Sequence, residues 1–151
     1  MEEKNIKEKS KKILIEFKQL YIRKKQLLNI INNLEKEIQT AKSPSMSLNS
    51  FAGNNTTMSA KIAKLVDYKQ QYDDIIELMN NKLWKIEKVL LLICEQNPVG
   101  ANVLHYHFVE QLSFEKIACK INFSYRQTLR YYNNALQNFY NIYNKEYEQH
   151  E

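Results

Sequence analysis

Apolar positions in the first third of the chain recur in alternating steps of four and three: Ile13, Phe17, Leu20, Lys24, Leu27, Ile31, Leu34 and Ile38. This is the a/d seam of a helix that packs on another helix, and Lys24 is its single polar member. The stepping returns at Ile62, Leu65, Lys69, Tyr72, Ile76, Met79, Leu83, Ile86, Leu90 and Ile93, again with one lysine. At about 1.5 Å per residue, each helix is expected to reach on the order of 50 Å. Neither can bury its stripe alone. The intervening stretch is short, so an antiparallel, coiled-coil-like helical hairpin is the economical arrangement. A coiled coil between chains would satisfy the same stripes. Trp84, Leu91 and Leu92 widen the second stripe and are expected to face the third segment or another subunit.

Punctuation sets the boundaries. The chain has two Gly and two Pro in 151 residues. Many short strands need Gly- and Pro-rich turns, so sandwiches and barrels are excluded and an all-α fold is expected. Gly-rich phosphate loops and dinucleotide fingerprints fall to the same count. Pro44 and Gly53 lie in AKSPSMSLNSFAGNNTT, and Pro98 and Gly100 in EQNPVGAN. The expected organisation is a helical hairpin over 1–97, with a mobile linker at about 43–56, followed by a second domain over 98–148.

The third segment, NPVGANVLHYHFVEQLSFEKIACKINFSYRQTLRYYNNALQNFYNIYNK, reads as three helices. The first runs from Ala101 to Glu110 with Leu104 and Phe108 inward. Ser113 is an N-cap, and Glu115 stands in the first turn where the helix dipole favours an anion. That short helix carries Ile117, Ala118 and Ile121 on one face. Asn122-Phe123 make a tight turn. Ser124 caps the last helix, and Gln127 completes an S-x-x-Q capping box. Thr128, Tyr131 or Tyr132, Ala135, Leu136 and Phe139 continue its buried stripe.

Short helix, tight turn and capped longer helix is the helix-turn-helix layout. Ala118 is small where the two helices cross. The cap aims the N-terminus of the last helix outward, where N–H groups and the positive dipole end can meet phosphate. The exposed face is expected to present Tyr125, Arg126, Gln127, Leu129, Arg130, Asn133 and Asn134. Arg and Gln suit bidentate contacts with guanine and adenine edges. Between Ser113 and Asn134, Lys116, Lys120, Arg126 and Arg130 stand against Glu115 alone, a local +3. Double-stranded DNA is therefore the expected partner. Arg126 or Gln127 would read a base edge, and Arg130, Lys116 or Lys120 would hold phosphate, with Ser124, Tyr125, Asn133 and Asn134 completing the surface.

Net charge agrees: 22 Lys and Arg against 17 acidic residues give +5. Ten of the basic residues lie in the first 40 positions against six Glu, which is read as a solvated helix face more readily than as a DNA-guiding arm. Cys94 and Cys119 have no CxxC spacing and are read as small apolar core residues of a reduced, cytoplasmic protein. The charged start, MEEKNIKEKSKK, is not followed by a signal-type apolar core, and no stretch approaches a membrane span.

LSFEKIACKINFSYRQTLRYYNNAL resembles region four of the bacterial housekeeping-type sigma factors. Leu112, Ser113, Glu115, Ile117, Ala118, Ser124, Gln127, Ala135 and Leu136 stand at the recurring places. Phe114 replaces a frequent Trp, Thr128 a usual Val, and Tyr131-Tyr132 is bulkier than the pattern. The whole chain is similar to the small phage and prophage transcriptional activators of the RinA and ArpU type. Its basic N-terminal helix, its linker with Ser43-Pro44 and its second helix opening Ser59-Ala60-Lys61-Ile62-Ala63-Lys64-Leu65 carry the likeness upstream. The resemblance implies activation of phage late genes, such as packaging and structural operons, and leaves open whether RNA polymerase is contacted.

Other chemistry is thinly supported. His105 and His107 are two apart and cannot share a helix face, so neither a metal site nor any cofactor is expected. Cys119 has no base at plausible spacing, and no enzyme activity or small-molecule substrate is expected. Asp73, Asp74 and Glu77 read as a solvated face. Tyr131, Tyr132, Tyr140, Tyr143 and Tyr147 lie at helical spacings and read as core or interface. Two alternatives to a DNA-reading regulator stay open: a DNA-packaging factor of the small terminase subunit type, and a sigma-like module that docks on RNA polymerase. A homo-oligomer fits either long stripe.

Overall fold

The computed structural model describes residues 1–41 and 51–149, with side chains described for 1–41 and 58–149. The described residues hold helices and no strand: α1 (Glu2–Ala41), α2 (Phe51–Cys94), α3 (Pro98–Leu104), α4 (Phe114–Ile121) and α5 (Tyr125–Tyr143). Two of them continue as π-helical turns, α3 through His105–Val109 and α5 through Asn144–Glu148. No described helix is long and apolar enough to cross a membrane. Positions 43–50 of the expected linker lie outside the described residues. Its remainder belongs to α2, which begins at Phe51 and takes in Gly53.

The chain divides into two compact units, but not at residue 97. One unit joins Met1–Gln19 to Met79–Glu151, and the other is Leu20–Leu78. In the second unit, Leu27, Ile31 and Ile38 are buried on α1. Polar contacts link α1 to α2 in opposite chain order: Arg23 donates to Gln71 at 3.5 Å, and Glu35 and Glu37 pair with Lys69 and Lys61 at 2.9 and 3.2 Å. The expected seam is corrected at Ile62, which is 42% exposed; Lys61, Leu65 and Tyr68 are more buried than it. Lys61 reaching Glu37 shows which way the helix is turned there.

In the first unit the start of α1 is turned by one position from the expected seam. Ser10, Leu14 and Phe17 are buried, while Ile13 is half-buried. Ser10 explains the shift. Its hydroxyl donates to the Leu136 carbonyl at 2.5 Å and accepts from the Tyr140 N–H at 3.1 Å. It thus bridges two backbone groups four residues apart on α5, which runs through them as continuous α-helix, and fastens α1 to α5. Ile86, Val89, Leu90 and Ile93 of α2 are buried in the same unit, as are Val103, Leu104, Leu136 and Phe139. Each such side chain contributes about 1.5–3 kcal/mol by leaving water.

The chain enters α3 three residues earlier than the pattern suggests. Pro98 is its first residue, where a missing N–H costs nothing, and the Asn97 side chain accepts from Gly100 N–H at 3.0 Å. Gly100 is buried, and a Cβ there would lie 3.0 Å from that of Ala135, so the glycine permits α3 to sit close on α5. Gln111 turns the chain out of the π-helical segment with φ 61°, its side chain donating to the Phe108 carbonyl at 2.6 Å.

Candidate nucleic-acid interface

The turn between α4 and α5 is built by local chemistry. Ser113, extended at φ −70° and ψ 156°, accepts from Lys116 N–H at 3.4 Å. Asn122 ends α4 in the left-handed region at φ 58°, and its N–H and that of Phe123 both reach the Ala118 carbonyl, Phe123 at 3.2 Å. Asn tolerates that conformation better than most L residues. Ser124 then accepts from Gln127 N–H at 3.1 Å and starts α5. Ile117 and Ala118 of α4, which packs on α5, are buried. Thr128 is fully buried yet satisfied, because its hydroxyl donates to the Ser124 carbonyl at 2.9 Å.

The face opposite this core carries the expected residues. Lys116, Ser124, Tyr125, Arg126, Arg130, Asn133 and Asn134 are exposed; Gln127 and Leu129 are half-buried. No ion pair among the described residues involves Lys116, Arg126 or Arg130, and neither arginine meets Glu110 or Glu115. Two expected contributors are already engaged. Lys120 sits 3.5 Å from Glu110 and 4.4 Å over the Tyr106 ring. The Asn133 amide donates to the Leu129 carbonyl at 2.9 Å. Cys119, expected in the core, is exposed: it follows Ala118 by one position, which carries it past the buried edge of α4.

An aromatic cluster beneath this surface goes beyond what the sequence pattern suggests. His107 stacks on Phe114 with ring centres 4.2 Å apart, and Tyr132 meets Phe114 edge-on at 4.8 Å. His107 Nδ1 lies 3.0 Å from the Leu112 carbonyl. Burial lowers the His107 pKa from its ordinary value, against the raising effect of that carbonyl, with Lys18 lowering it further. Burial and then the charge of Glu8 push the Tyr132 phenol up to about 12. Both rings are thereby held neutral near pH 7. The signal available in sequence was Phe114 directly after a capping serine, which places a ring on the inner edge of a first helical turn. Phe123 adds an exposed ring beside the turn, tilted on Tyr131 at 5.3 Å.

No cluster of three His, Cys, Asp or Glu among the described residues could hold a metal ion. Comparison with protein-family models, curated proteins and solved structures finds no match.

Proposed function

We propose that the chain is a sequence-specific DNA-binding transcription regulator that uses α4, its turn and α5 as a sigma-region-four-like helix-turn-helix. The single observation that carries the reading is the cationic face of that unit: Lys116, Arg126 and Arg130 are exposed and without an acidic partner among the described residues. A merely structural trihelix would be expected to pair those arginines with Glu110 or Glu115, and it does not. Arg126 and Arg130 are one turn apart on one face, matched to a base edge and the adjoining phosphate. Lys116 and Arg130 serve as the phosphate contacts in preference to Lys120, whose charge is committed to Glu110. The opposite chain order of the α1–α2 contacts supports an antiparallel pairing of the two helices within Leu20–Leu78. With the likeness to RinA- and ArpU-type activators, the regulated genes are those expressed late by a phage or prophage, and the location is the cytoplasm of a bacterial host.

Selection of bound duplexes from a random library supplies the test. A discrete motif should emerge and be protected in footprinting. Arg126→Ala with Arg130→Ala should weaken binding of the selected duplex, the base-reading member costing about 1–3 kcal/mol and relaxing preference at one position. The phosphate-holding member should flatten the salt dependence by about one unit of slope. A folded double variant with unchanged affinity and salt dependence would overturn the assignment. Failure to enrich any motif, with RNA polymerase bound instead, would move the chain to the docking class.

A further inference from the structure

The outer face of α2 exposes two large apolar side chains that the unit's own core leaves uncovered. Trp84 is 66% exposed and Leu91 70% exposed. They stand seven residues apart, so they share one side of the helix at a separation of about 10 Å. Leu91 borders a groove of about 320 Å3 whose floor includes Leu90, Cys94 and Ala101 and whose rim includes Glu87 and His105. The helix therefore carries a projecting indole and, two turns on, an apolar recess of a size that admits it.

We propose that this face is a homodimer interface in which two copies of the chain cross α2 against α2 about a two-fold axis. Such an axis makes one patch meet itself, so a knob and its hole must lie on the same surface, and here they do. Setting Trp84 over the Leu91 groove of the second copy puts the axis between residues 87 and 88. The same operation sets Glu87 opposite Lys88 of the second copy, and Lys88 opposite Glu87, so the charges between the two apolar contacts are complementary. Lys88 stays 47% exposed at its side chain while it holds Glu146 at 3.0 Å, which leaves it accessible to a second carboxylate. Two indoles contribute about 300–500 Å2 of buried surface, so the whole interface is smaller than that of tight complexes, and association belongs to the micromolar range.

Trp84 is the one tryptophan of the chain, so its fluorescence reports this contact alone. Sedimentation velocity and emission spectra from about 1 to 100 μM, spanning the expected Kd, test the proposal. The expected result is a monomer-to-dimer shift accompanied by a blue shift of Trp84. Leu91→Ala and Glu87→Lys should each remain monomeric with solvent-type emission, their folding checked by circular dichroism. Lys88→Glu should also be monomeric, and mixing it with Glu87→Lys should restore a dimer, because the paired glutamates of one chain then face the paired lysines of the other. Leu91→Ala and Glu87→Lys leave the Lys88–Glu146 pair intact and decide the matter if Lys88→Glu does not fold. A wild-type monomer at 100 μM with solvent-type emission would overturn the proposal. So would a dimer that persists in both variants.

Discussion

Ser10 concentrates more structure in one hydroxyl than any other polar side chain of the first unit. It accepts from the half-buried Tyr140 N–H and donates to the buried Leu136 carbonyl, so its loss leaves both to rely on each other or go unpaired. Ser10→Ala is expected to destabilise by about 1–3 kcal/mol, the cost of leaving a buried group unsatisfied, measured by urea unfolding. A change below about 0.5 kcal/mol would show that Leu136 and Tyr140 satisfy each other unaided. His107 gives a pH-dependent counterpart. Burial holds its pKa below the ordinary 6.5. Between that depressed value and 6.5, the unfolded chain takes up a proton that the folded chain refuses. Stability is therefore complete above 6.5 and falls as the pH drops below it. His107→Phe keeps a ring against Phe114 but cannot protonate. Melting temperatures from pH 7.5 to 5 should fall further for the wild type than for this variant, and parallel curves would remove His107 as the cause. Neither role was legible in sequence. Ser10 is one Ser among charged neighbours, and the groups it binds are 126 residues or more away; His107 gains its meaning only from Phe114 and Tyr132 folding onto it.

At the level of elements, local signals worked where the chemistry is local. Ser113 and Ser124 cap the helices they were expected to cap, because a cap needs only a β-region residue and an N–H three positions on. The exposure of Arg126 and Arg130 followed from the stripe of Thr128, Ala135, Leu136 and Phe139 on the other side of α5. Breakers were less transparent. Pro98 and Gly100 read as a loop, whereas they open α3 at positions where neither costs what it would in mid-helix. Gly100 allows a test of this. In an open helix, Gly to Ala stabilises by about 1 kcal/mol. Here the new Cβ would lie 3.0 Å from that of Ala135 and press on the Asn97 side chain that caps the helix. Overpacking of this kind costs about 1–3 kcal/mol, so Gly100→Ala should destabilise on balance. Adding Ala135→Gly removes the contact with α5 and leaves the tighter one with Asn97, so the double-mutant cycle should show favourable coupling without full recovery. A Gly100→Ala protein more stable than wild type would contradict the close approach of α3 to α5.

For the molecule as a whole, heptad stepping made two long helices visible but left their division hidden. Periodicity states which face of a helix is apolar and says nothing about which length of it joins which core. The breakers at Pro98 and Gly100 mark a change of direction, and a boundary at 97 follows from them only if direction and packing coincide. They do not, since Met1–Gln19 and Met79–Cys94 belong with the C-terminal helices. Lys9 lies 4.9 Å over the Tyr140 ring, Lys85 lies 5.1 Å over that of Tyr147, and Ser10 hydrogen-bonds to α5. Residues 98–151 alone would expose Leu136 and Phe139 where α1 and α2 are removed, and should lack a cooperative unfolding transition. By contrast, Glu16 and Lys82 touch at 3.3 Å, so Gln19 and Met79 are close enough to be bridged. A chain in which a flexible linker of roughly 8–10 Gly and Ser residues replaces Leu20–Leu78 should keep the first unit's core, since such linkers impose no structure of their own. Thermal melts followed by circular dichroism separate the outcomes. A sharp transition for the bridged chain and a broad one for 98–151 are expected. A sharp transition in 98–151 alone would show that the three C-terminal helices are a self-sufficient domain and that Ser10, Leu14 and Phe17 merely lie against it.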